Sequence, residues 1–188
     1  VAALALLGPA LVGCGAAAGG GAAAGTSDAR YPTLATVTGG VLASSTTDPV
    51  GDVPDPATDI TAASARLDGR ALHVEITLAA APPATVSGDE QYTVGAYLLR
   101  DQNDDAPMAA RLLVEAGASG RYLYGPWGGD GVALPGSAAG TTVVLDVPDI
   151  GDDVFRYVQF YAEDAAGADA APDAGANDAA VLPLNPPG

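Results

Sequence analysis

The sequence predicts an all-β fold: an antiparallel β-sandwich, jelly-roll or immunoglobulin-like, placed after a signal segment and a flexible tether. Apolar residues beyond Ala35 alternate with polar ones at period two, the pattern of strands with one buried face. These runs are short and separated by Gly, Pro and Asp, which suits a sandwich of many brief strands. No stretch carries the 3.6-residue periodicity of an amphipathic helix.

The first fourteen residues read VAALALLGPALVGC, an uncharged apolar run too short to span a bilayer but suited to the core of an export signal. Residues 1–13 are therefore assigned to a signal segment. Residues 14–33 are rich in Gly and Ala, have no large apolar side chain before Tyr31, and are read as a tether. The sandwich is expected over residues 34–185, with a tail at 186–188. Within it, Leu72, Val74, Ile76 and Leu78 define the clearest strand, with His73, Glu75 and Thr77 on its other face. The Asp68-Gly69 pair before it signals a hairpin joining residues 60–67 to 71–78. Further strands are expected at 91–100, 109–115, 121–125, 141–147 and 154–162. The apolar run at 179–184 suits a closing strand.

Composition limits the partners. The formal charge is −16, from 23 acidic residues against seven arginines and no lysine. Nucleic acid needs a basic surface that releases counterions, and this chain has no such reserve. About 150 residues beyond the tether are enough for one domain burying roughly two-thirds of its unfolded surface.

Leu11-Val12-Gly13-Cys14 resembles the lipobox of bacterial lipoproteins. The resemblance implies cleavage before Cys14, a diacylglycerol on its sulfur, and a chain anchored to the extracytoplasmic side of the cell membrane. As the chain has one cysteine, an internal disulfide is excluded.

A second resemblance begins at Asp48-Pro49-Val50-Gly51-Asp52, followed by Asp59-Ile60 and the strand Leu72-His73-Val74-Glu75-Ile76. With the acidic turn Asp101 to Asp105 and the closing Asp169-Ala170-Ala171-Pro172-Asp173-Ala174-Gly175, it covers most of residues 48–175. The pattern is similar to DOMON domains and family 9 carbohydrate-binding modules found beside secreted peptidases. The fold it implies is a β-sandwich.

The acidic turns also have a direct physical reading. Calcium takes six to eight oxygens, best supplied by carboxylates and carbonyls converging from loops. Asp101, Asn103 and Asp105 alternate as ligands in one turn; Asp48 and Asp52, joined by Asp173 or Asp169, form a second set if the ends of the sandwich meet. Asp and Asn also favour turns because their side chains bond nearby amides, so both readings stand.

Tyr122, Tyr124 and Trp127 form an aromatic group that suits either a sugar-stacking platform or packing between thin sheets, the commoner use. No haem is expected from Met108 and His73, whose order is reversed relative to DOMON haem ligands. Neither Ser87-Gly88 nor Ser119-Gly120 forms a nucleophile elbow, and zinc lacks ligands, so no catalytic residues are assigned. The expected function is a membrane-anchored, surface-exposed, non-catalytic binding or scaffolding module for glycan or protein, with calcium fixing its loops. The alternative is an accessory domain of an exported peptidase or other hydrolase.

Overall fold

The computed structural model describes residues 41–102, 104–152, 154–172 and 181–185. Cys14, the signal segment, the tether, Asn103 and Asp173 lie outside the described residues. Among the described residues, twelve strands account for the regular structure: β1 (Val41–Thr47), β2 (Ile60–Asp68), β3 (Ala71–Leu78), β4 (Gln91–Leu99), β5 (Met108–Glu115) and β6 (Arg121–Pro126) come first. They are followed by β7 (Val132–Ala133), β8 (Gly136–Ala139), β9 (Thr142–Val147), β10 (Tyr157–Glu163), β11 (Ala168–Ala171) and β12 (Leu182–Pro183). No described residue is helical.

Two antiparallel sheets form, one in the order β1-β2-β3-β9-β8 and the other β11-β10-β4-β5-β6-β7, with β12 also pairing to β10. Alternation decides which side of each strand is buried. Leu72, Val74, Ile76 and Leu78 of β3 face the core, as do Tyr92, Val94, Ala96 and Leu98 of β4 and Val158 and Phe160 of β10. Each large apolar side chain removed from water contributes about 1.5–3 kcal/mol before conformational entropy is counted.

The hairpin between β2 and β3 forms as expected, with Asp68 and Ala71 as the last pair. Its two-residue loop is Gly69-Arg70, and Gly69 takes φ +60°, the first-position glycine that a type II′ turn requires. Strand β10 begins at Tyr157 rather than residue 154, and Val154 remains exposed. Strands β1, β7, β8 and β11 add to the expected set. Their Ala, Ser, Thr and Gly side chains supply little apolar pattern, and backbone pairing to longer neighbours holds them in place.

The C-terminal strand spans the gap between the sheets. Val158 pairs with Leu182, Leu184 donates its N–H to the Arg156 carbonyl, and Leu184 is fully buried. One residue later, Asn185 exchanges two backbone hydrogen bonds with Ala43 of β1, at 2.7 and 3.1 Å. Leu184→Ala is therefore expected to destabilise the domain by about 2–4 kcal/mol, through lost burial and a cavity between the sheets. Urea unfolding checks this: a shift of the midpoint below what ~1 kcal/mol produces would show that the strand is not integral to the core.

Candidate metal centre and binding face

The turn after β1 gathers the acidic residues. Asp48 caps the strand, its N–H donating to the Thr61 carbonyl, and Gly51 takes a left-handed φ of +87°. That turn aims the Gly51 N–H at Asp59 Oδ2, 2.6 Å away. Asp59 leads into β2, whose first amide, Ile60 N–H, donates to Asp169 Oδ2 of β11 at 2.7 Å. Asp169 Oδ1 accepts from Ala170 N–H. One long-range hydrogen bond thus joins the start of β2 in the first sheet to the edge strand β11 of the second and draws Asp169 to the turn.

The result is a triad in which Asp48, Asp52 and Asp169 each offer a carboxylate oxygen, all within 4.8 Å of one another. Asp48 and Asp169 are largely buried, while Asp52 is exposed and leaves the group open to solvent on one side. Beneath the turn, Asp59 is 1 % exposed and its Oδ1 has no hydrogen-bond partner. Like charges about 4 Å apart repel by roughly 4 kcal/mol per pair at an effective dielectric near 20. A divalent cation relieves that repulsion, and three carboxylates leave positions for carbonyls or water in a six- to eight-coordinate shell. The set joining Asp48 and Asp52 to Asp169 therefore assembles; Asp173 lies outside the described residues.

The second acidic turn is organised differently. Asp101 and Asp105 are exposed and belong to no three-carboxylate group among the described residues. The residue that shapes this turn is Asp104, which the alternating pattern passes over. Its Oδ2 accepts from Arg100 N–H at 3.0 Å and its Oδ1 from Ala106 N–H at 3.1 Å. The Arg100 amide bond holds the Asp104 carboxyl below the usual range, against a smaller opposing effect of burial. This turn has the geometry of side chain-to-backbone bonding.

The aromatic group of the sequence divides between two faces. Tyr122 and Tyr124 point inward: Tyr122 packs over Gly136, where a Cβ would stand 2.3 Å from its ring, and Tyr124 belongs to the core with its hydroxyl donating to the Ile150 carbonyl. Strand parity thus gives Tyr122 and Tyr124 the packing role, the commoner of the two readings, and separates them from Trp127. Trp127 lies on the outer side of the second sheet. There Tyr97 and Tyr161 stack with centroids 4.1 Å apart, and Trp127 meets both edge-on at 4.9 and 5.2 Å.

Register explains this meeting. The outer face carries the cross-strand row Tyr161–Gly95–Arg111–Leu123, beside a second row Glu163–Thr93–Leu113–Arg121. Gly95 has no side chain, and a Cβ there would stand 2.9 Å from both the Cα and Cβ of Arg111. Arg111 is 5 % exposed; its Nη2 donates to the Gly129 carbonyl at 2.5 Å, and its guanidinium lies 5.7 Å from the Trp127 ring centroid. It thereby holds both the loop and the indole. The loop folds back closely, since a Cβ on Gly125 would stand 2.6 Å from Gly131 Cα.

Trp127 remains 41 % exposed and forms one wall of a groove of about 310 Å3 along this face. The groove is polar: Thr93, Glu163 and Asp130 line it with the ion pair Arg121–Glu115. Burial raises the Glu163 carboxyl above its usual range and pushes the Tyr97 and Tyr161 hydroxyls upward. A larger depression of about 600 Å3 over Thr47, Ala62, Ser64 and Thr77 has no aromatic lining and offers little to grip. His73 bonds Asp146 at 2.6 Å on the first sheet, whereas Met108 belongs to β5 in the second and packs against the core.

Tyr97, Tyr161 and Arg111 do not stand out in the sequence because each falls in an ordinary strand. Their only signal is Gly95 interrupting a bulky run, which marks a close approach. No family model matches this chain, and neither a curated protein nor a solved structure matches it.

Proposed function

We propose that this chain is a non-catalytic glycan-binding module, anchored by lipid on Cys14 to the extracytoplasmic side of the cell membrane and stabilised by calcium at Asp48, Asp52 and Asp169. The observation that carries the binding reading is the half-exposed Trp127 ring, held rigidly over a polar groove on a sheet face. Aromatic rings stack on the apolar faces of sugars while neighbouring carboxylates and hydroxyls bond their edges. A fixed ring loses little entropy when ligand arrives. The export-type leader and the LVGC lipobox support the location.

Retention on insoluble polysaccharide tests the function. Trp127→Ala is expected to weaken retention about tenfold or more, with the melting temperature lowered by only a few degrees because the ring is a surface group. Equal retention by the variant would sink the reading. Mass spectrometry of the membrane fraction tests the anchor, which requires a mature chain beginning at a diacylglyceryl-modified Cys14.

A further inference from the structure

The groove beside Trp127 carries a mixed set of charges that narrows the class of ligand. Resting on the glycan-binding reading, we propose that the face formed by Trp127, Arg111, Tyr161 and Glu163 selects an uncharged, hydroxyl-rich oligosaccharide over acidic or amino-sugar chains.

Charge balance is the first support. Arg121 is paired with Glu115 and so presents little net field. Glu163 has no ion-pair partner among the described residues, is partly buried, and stands beside Thr93 in the register. Asp130 adds a second acid to the lining. A carboxylated sugar would therefore bring a like charge to a partly desolvated Glu163, a penalty that a neutral chain avoids. An amino sugar meets the opposite difficulty at the buried Arg111 guanidinium.

Unmet hydrogen bonding is the second support, and it comes from different atoms. Arg111 Nη1 and the Tyr161 hydroxyl are both buried with no hydrogen-bond partner. Both residues touch the Trp127 ring. Buried donors of this kind are rare and call for a partner, whether water, ion or ligand. A sugar hydroxyl donates and accepts at once, so a vicinal pair suits a guanidinium donor and a carboxylate acceptor together. A site built around such bonds rejects chains that cannot make them more strongly than an apolar pocket would. The loop bearing the ring turns on Gly128 and Gly131, at φ +75° and +63°, and Arg111 tethers it through Gly129.

Trp127 is the sole tryptophan, so its fluorescence reports this site alone. The full chain, solubilised in detergent, is titrated with three soluble series: neutral gluco-, manno- and xylo-oligosaccharides, oligogalacturonates, and chitosan oligosaccharides. Saturable fluorescence change is expected with a neutral series, at an affinity about tenfold or more above either charged series. Glu163→Gln should weaken neutral binding by about tenfold and narrow the gap to oligogalacturonate, with an unchanged melting curve confirming the fold. Tighter binding of either charged series, or selectivity unmoved by Glu163→Gln, overturns the neutral class while glycan binding stands. No response from any series, together with no retention on insoluble polysaccharide, overturns glycan binding itself.

Discussion

Gly95→Ala is expected to be the most damaging single substitution in the domain, costing about 3 kcal/mol or more and abolishing the Trp127 site in whatever fraction stays folded. A Cβ at this position would stand 2.2 Å from the Ala110 carbonyl oxygen and 2.9 Å from the Arg111 Cα. Both are backbone atoms of β5, so no side-chain rotation relieves the clash; strand β4 must move away from β5. β4 lies between β10 and β5 in the second sheet, and displacing it disturbs two ladders at once. The loss of the Trp127 arrangement follows from the same geometry, because Arg111 and Tyr161 flank Gly95 on either side. Urea unfolding with far-ultraviolet dichroism measures the first effect, and Trp127 fluorescence the second. A variant with wild-type stability would mean that the tight β4–β5 approach is not required.

The second large effect concerns Asp169. At calcium one hundred times its dissociation constant, binding to the native state adds about 2.7 kcal/mol, or roughly 5–10 °C in melting temperature for a domain of this size. Asp169→Ala removes a carboxylate of the triad and also the acceptor of the Ile60 N–H. The variant is therefore expected to lose about 1–3 kcal/mol without metal, since a buried amide is left unsatisfied, and to lose the calcium-dependent rise as well. Asp52→Ala separates these contributions. Asp52 is exposed and solvent screens much of its charge, so its loss should reduce the calcium response and leave the metal-free melting temperature unchanged or slightly raised, as repulsion from Asp48 and Asp169 is relieved. Calcium raising the melting temperature of Asp169→Ala as much as that of the parent would place the ion elsewhere. No heat or melting shift in the parent would remove calcium from the reading altogether.

Much of the sandwich is legible because its inner strands carry large side chains on one parity. β3 shows this plainly, since Leu72, Val74, Ile76 and Leu78 are all buried and the residues between them face outward. Strands β1, β8 and β11 are hidden for the converse reason: VLASSTT, GSAA and ADAA rely on neighbours for position. The acidic triad is legible only in part. Asp48 and Asp52 are close in sequence, but their junction with Asp169 depends on a hydrogen bond spanning 109 residues. The aromatic site is harder still. Trp127 is visible as a residue, whereas its partners Tyr97 and Tyr161 are set by the β4–β10 register, which no local pattern encodes. Parity along β6 does separate Tyr122 and Tyr124 from Trp127, and that signal is present in the spacing alone.

The double hydrogen bond between Ala43 and Asn185 has a mechanical consequence. Cα atoms in such a pair sit about 5.5 Å apart, so the polypeptide enters and leaves this domain through the same doorway. A domain of that kind is a cassette: spliced into a surface hairpin of another β-protein, it would not spread the host's strands. Tension between its ends would unzip the doorway first, peeling Asn185 from Ala43 before either ladder is loaded along its length.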